Sequence, residues 1–333
     1  MVTKNSNLSL YLRIISYSVL AFTLAFLINN VLTVWSDWPG IKKIFSHHEM
    51  FGYKKKALEG SDLNYGYMQI GLYLICIAAV VFYVFKTYSQ TLEQDSKILS
   101  RFSAYLVRSS FWAVFLVGVA DFVISFMVVE RLWEAIFSPE VKALMVKAPV
   151  RITYIHFPII LISFVIGYFT KSVGFIWLAV LVVVSEFVIV LSRFIFSYEQ
   201  AFQGDLVRFW YAALYLFASA YALIHEGHVR VDVLYAGFSA RRKALVNALG
   251  SLLLGIPLCW IILALGMWGK ATIINSPLLA FEMTQSGFGL YVKYLMAGFL
   301  AVYAITMMIQ FASYFLSNIA IFRNEPNQIS IEN

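Results

Sequence analysis

About eight apolar stretches, each close to 20 residues long, run the length of this sequence and leave it very few folds to choose from. They extend roughly from Leu10 to Trp35, Met68 to Lys86, Ser109 to Val129, Ile152 to Phe169, Ser172 to Ile195, Leu206 to His225, Ala244 to Trp268 and Tyr291 to Asn318. A hydrocarbon layer offers the backbone no water, so such segments must satisfy their own N–H and C=O groups, as helices. The expected fold is an all-α, polytopic transmembrane helical bundle of about eight spans. The chain is 61% apolar and 13% charged, against about 45–50% and about 25% in a soluble domain. Its formal charge of +7 sits on Lys and Arg that flank apolar segments and form no stripe, which points to membrane lipids, not nucleic acid, as the counter-charge. Cys76 and Cys259 both lie inside apolar runs and supply neither a disulfide framework nor a zinc cluster. The first run is too long for a signal-peptide core and lacks a small-residue cleavage site, so it is expected to stay in the mature protein. Trp35, Trp38, Trp133, Trp210 and Trp268 fall near predicted span ends, where an indole buries its ring and still meets water.

The connectors carry most of the charge. A polar insert of about 30 residues, Ser36 to Gly66, holds His47, His48 and the run Lys54, Lys55, Lys56, and has no hydrophobic periodicity of its own. Ser89 to Arg101, with Glu93, Asp95, Lys97 and Arg101, reads as a surface connector. Between Glu134 and Arg151, Val141, Leu144, Met145 and Ala148 recur at helical spacing and predict a short interfacial helix. Arg230, Arg241, Arg242 and Lys243 in the connector Gly227 to Lys243 place that loop in the cytoplasm, and with an even number of spans both termini follow it. The five lysines of the 36–66 insert then fall on the periplasmic side, against the rule. That leaves an early topology shifted by one span, or an insert covered by protein.

Ionisable residues inside spans need partners, because a charge at mid-bilayer costs about 2.5–3.5 kcal/mol on insertion scales. Glu186 lies near the centre of the fifth span and Arg193 two turns on, so both project from one side, which is expected to face protein as a helix or subunit contact, with a proton relay as the alternative. Asp121 in the third span either pairs with a base elsewhere or is protonated. Pro158 and Pro257 sit inside spans and are expected to kink them.

The densest polar cluster is His225-Glu226-Gly227-His228-Val229-Arg230-Val231-Asp232, at the end of the sixth span. It is not the His-Glu-x-x-His pattern of zinc enzymes, and Gly227 would break the helix that such ligands require. As chemistry it reads as an interfacial hinge: a helix stops, basic groups meet its negative end, and Arg230 and Asp232 share a face. The string Ala220-Tyr221-Ala222-Leu223 followed by Gly227 to Val233 resembles the signature of the small membrane subunit, DctQ-type, of tripartite ATP-independent periplasmic (TRAP) transporters. Arg193-Phe194-Ile195-Phe196, Arg208, Ser239-Ala240-Arg241-Arg242-Lys243, Asn275-Ser276-Pro277, Glu282 and Ser286-Gly287 fit the same order. The resemblance covers about 172–318. It divides the chain into an amino-terminal transmembrane extension over 1–171, a DctQ-like four-helix unit over 172–318, and a cytoplasmic tail over 319–333. Where family members carry Trp and adjacent acids before their second helix, this chain has Phe202-Gln203-Gly204-Asp205, with Glu199 nearby.

What the resemblance implies is a subunit, not an enzyme. It implies a bacterial inner-membrane scaffold for a large, elevator-type permease subunit, with a periplasmic binding protein delivering an organic acid in sodium symport. Glu186, Arg193, Asp205, Arg208, His228, Arg230, Asp232, Arg241, Arg242 and Glu282 become the candidate contacts to subunits or lipid, with Asp121 as an intramembrane charge, and no catalytic, cofactor or metal site is expected. Two other classes compete. A haem b anchor would need His156 and His225 to face one another. A self-sufficient secondary transporter would need paired broken helices and an inverted repeat, neither of which is evident.

Overall fold

The computed structural model describes residues 7–171, 175–224, 233–283 and 289–325. Among these, all regular structure is helical. Eight long helices carry the fold: α1 (Asn7–Trp35), α2 (Ser61–Lys86), α3 (Leu92–Val129), α4 (Ala148–Phe169), α5 (Phe175–Phe196), α6 (Ala201–Ile224), α7 (Ala240–Met267) and α8 (Lys293–Phe322). Seven of them are long and apolar enough to cross a membrane. The remaining one, α6, has 24 residues and carries Gln203, Asp205 and Arg208 in its first turns. The chain is a polytopic helical bundle.

Successive helices alternate in direction. Arg323 of the α8 terminus donates to Ser9 Oγ at 2.6 Å, and Arg13 meets Thr87 and Asp95, so the start of α1, the α2–α3 turn and the end of α8 lie together. At the opposite end Asn30 donates to the Met267 carbonyl and Lys270 pairs with Asp37. The 36–66 insert therefore shares a side with the α7–α8 connector, away from both described ends, and the early topology is not shifted by a span. Nor is the insert covered by this chain: Lys42, Lys43, Lys54, Lys55 and Lys56 are exposed. It also has a helix of its own, Ile41–His47, pinned by Ile44, which meets α2 at Gly66.

Ser89 to Arg101 is not a surface connector. Thr91 and Gln94 form a reciprocal capping box that starts α3 at Leu92, satisfying two of the amide groups a helix start leaves open. At 38 residues and about 1.5 Å per residue, α3 is the long central post. It packs on α4, α6 and α8, and its Val107, Phe111, Val114 and Val117 enter one core with Phe202, Phe209 and Phe217 of α6 and Phe299 and Met308 of α8. The post bonds into that core. Trp210, expected at an interface, lies ten residues into α6 with its Nε1 donating to Val114 O at 3.2 Å. Gly118 permits this approach, since a Cβ there would stand 2.6 Å from that same Nε1. Trp133 is buried as well, whereas Trp35 and Trp268 are exposed near helix ends.

Between α3 and α4 run short helical pieces, Trp133–Ile136 and Pro139–Met145, before Ala148–Arg151 opens α4; Val141, Leu144 and Met145 of the predicted short helix fall in the second piece and Ala148 in α4. Each intramembrane proline follows a π-helical turn. Phe157 N–H bonds Ile152 O before Pro158, and Ile256 N–H bonds Ser251 O before Pro257. A proline cannot donate to the fourth residue back, and a turn widened by one residue takes up the mismatch.

Candidate subunit interface and buried charge cluster

Asp121 sits in the last quarter of α3, fully buried, and its two oxygens are surrounded by donors. Oδ1 accepts from Arg151 Nη1 at 2.8 Å and from His156 Nε2 at 3.2 Å; Oδ2 accepts from Tyr291 N–H at 2.6 Å. Arg151 also donates to Ser125 Oγ (3.1 Å) and the Met145 carbonyl (3.0 Å), and its guanidinium lies 3.9 Å from the centre of the Tyr291 ring. A carboxylate only accepts, so His156 donates from Nε2, and its Nδ1 lies 3.1 Å from the Tyr294 hydroxyl. Of the two possibilities for Asp121, pairing is the one realised. The cluster joins α3 and α4 to the start of α8, so the amino-terminal helices are tied into the carboxy-terminal bundle by charge as well as by the shared core. Both ring nitrogens of His156 are thereby engaged, leaving none for iron, and His225 falls outside the described residues.

A second buried pair closes the other end. Arg13 binds Asp95 through Nε, Thr87 O at 2.9 Å and Thr87 Oγ1 at 2.7 Å, while Tyr17 Oη donates to Asp95 Oδ1 at 3.1 Å. Sequence reading overlooked it. Asp95 reads in sequence as part of a surface connector, and the signals for the pair are Arg13 itself, a charge inside the first apolar run, and the Thr-x-x-Gln capping pattern.

The predicted contact residues separate into three groups. Asp205, buried at the start of α6, accepts Leu290 N–H at 3.1 Å and Arg208 Nη1 at 3.3 Å, with the Arg208 side chain left 77% exposed. Glu282 pairs with Lys293 and its carbonyl accepts Tyr294 N–H at 3.0 Å, fixing the entry to α8. Arg241 stacks over Phe322 at 4.7 Å, and Arg242 is exposed. These are local ties and surface charges at helix ends.

Glu186 and Arg193 form the second group. The side of α5 that bears them does not face this chain's other helices: both are exposed, because α5 turns Leu178, Val182 and Leu181 toward the core and packs chiefly on α6. Arg193 reaches the exposed Glu199 at 3.4 Å. No hydrogen bond or ion pair joins Glu186 to another described residue. His228, Arg230 and Asp232, with the rest of 225–232, are the third group and lie outside the described residues, as do Ser286 and Gly287.

Outside the spans, Lys142 binds Glu134 and holds its carboxyl below the usual range. Tyr198, in the α5–α6 turn, donates to Glu130 Oε1 at 2.7 Å; desolvation first, then that bond to an anion, push its hydroxyl well above the ordinary tyrosine value.

Residues 179–320 match the family described as tripartite ATP-independent periplasmic transporters, DctQ component. This region is similar to the DctQ family. The match begins in α5 and ends in α8, so α1 to α4 are helices added ahead of the DctQ region. The family is one of transporter subunits, not enzymes, and the match supports a small membrane subunit of a TRAP transporter. No curated protein and no solved structure matches the chain.

Proposed function

We propose that the chain is the small membrane subunit of a sodium-coupled TRAP transporter for an organic acid, working beside a large elevator-type membrane subunit and a periplasmic substrate-binding protein. The DctQ match over α5 to α8 carries this reading. Its chemistry is a scaffold's: the buried charges described above are spent on ties between this chain's own helices, while α5 keeps an open membrane face. Region 172–318 is the unit that engages the permease, and 1–171 is an extension locked onto it. Placement in the bacterial inner membrane with the carboxyl end cytoplasmic is supported by Arg241, Arg242 and Lys243 at the end of the bundle shared with Arg323. The 36–66 insert and the α7–α8 connector then face the periplasm, where a binding protein would dock.

Reconstitution tests this. Proteoliposomes holding this chain and the large subunit of the same organism should take up the organic acid when given its binding protein and an inward sodium gradient. This chain alone should take up none; uptake by it alone would refute the scaffold reading.

A further inference from the structure

Glu186 occupies the twelfth of 22 positions in α5, about as far from either membrane surface as the helix allows, and no described group of this chain answers it. Its neighbour Ser185 is engaged with Leu181 O at 2.7 Å. On the same open side Val183, Phe187, Val190 and Phe194 stand 68%, 61%, 47% and 80% exposed. Their spacing of four, three and four residues makes a continuous apolar ridge of the kind that packs on another helix. Lipid tails would satisfy the ridge and leave an ionised carboxylate with the insertion penalty set out above; a protein helix with a cation or hydrogen-bond donor at that depth satisfies both.

We infer that this α5 ridge, centred on Glu186, is the docking face for the large membrane subunit, and that the subunit presents an Arg, Lys or His to Glu186 near mid-membrane. This rests on the TRAP reading above and adds the surface and the charge complementarity by which the two subunits recognise each other.

The test coexpresses the chain with the large DctM-type membrane subunit of the same organism and isolates the pair in lipid nanodiscs. A photoreactive benzoylphenylalanine at Val183, Phe187 or Val190 should crosslink to the large subunit at least tenfold more than one at Ile75 or Phe82, positions on α2 that are at least as exposed. E186K should lower the recovered large subunit at least tenfold, and a Glu at the crosslinked cation of the partner should restore it. The inference falls if the large subunit copurifies but its crosslinks miss α5, or if α5 crosslinks only to lipid or to a second copy of this chain. It falls equally if E186K recovers the large subunit at the wild-type level. If the wild-type chain recovers no large subunit at all, the transporter reading fails first and takes this inference with it.

Discussion

Replacing Asp121 by Ala isolates the Arg151 guanidinium. Arg151 is 2% exposed and would keep only Ser125 Oγ, the Met145 carbonyl and the Tyr291 ring, while His156 Nε2 and Tyr291 N–H lose their acceptor. Removing one partner of a buried pair costs about 3–5 kcal/mol, because the remaining charge stays buried without its counter-ion. With about 2 °C of midpoint per kcal/mol for a chain of this size, D121A should melt about 6–10 °C below wild type in a thermal scan followed by tryptophan fluorescence in nanodiscs. The double variant D121A/R151M removes the stranded charge too and should recover about half of that loss, the remainder being the unmet His156 and Tyr291 donors. A D121A midpoint within about 1 °C of wild type would refute the reasoning, as would a double variant no better than D121A, since both outcomes mean that water or a rearranged side chain already compensates the guanidinium.

Two further outcomes are open to measurement. Gly118→Val should cost about 1–3 kcal/mol by overpacking against Trp210, read as a lowered midpoint together with a shifted indole emission; an unchanged spectrum would place the crossing elsewhere. Because the Tyr198 hydroxyl is raised in the folded chain, its contribution is complete below the unfolded value near pH 10 and fades as pH climbs through the folded one. Tyr198→Phe should therefore flatten the stability loss above about pH 10, and parallel alkaline curves for the two proteins would contradict it.

Span number and the DctQ resemblance were legible because both rest on long, one-dimensional signals: apolar length and the order of short motifs around Arg193, Arg208 and Ser239 to Lys243. The amino-terminal half was harder for a physical reason. α3 begins at Leu92, well before its apolar stretch opens at Ser109, with polar Ser96 and Ser103 buried against Ser313 and the Thr306 carbonyl, so hydropathy stopped where the helix did not. Asp95 and Trp210 were misplaced by the same logic, since a charge or an indole satisfied by a partner far along the chain looks, in sequence, like one satisfied by water. For Glu186 and Arg193 the sequence located one side of a helix correctly, but which side a bundle keeps for itself depends on the neighbours, and α6 took the other.

The π-turn ahead of Pro158 governs more than helix direction. Arg151 and His156 are five residues apart, which in an α-helix would point them about 140° away from each other around the axis. Both reach the same oxygen of Asp121 because the widened turn between Ile152 and His156 winds the helix back far enough to align them. Pro158 follows directly on that turn and has no N–H to offer the carbonyl four residues back. The pairing of Arg151 and His156 on one oxygen thus depends on the turn that ends just before Pro158, and a one-residue insertion or deletion within it would unmake the site while leaving every one of its side chains in the sequence.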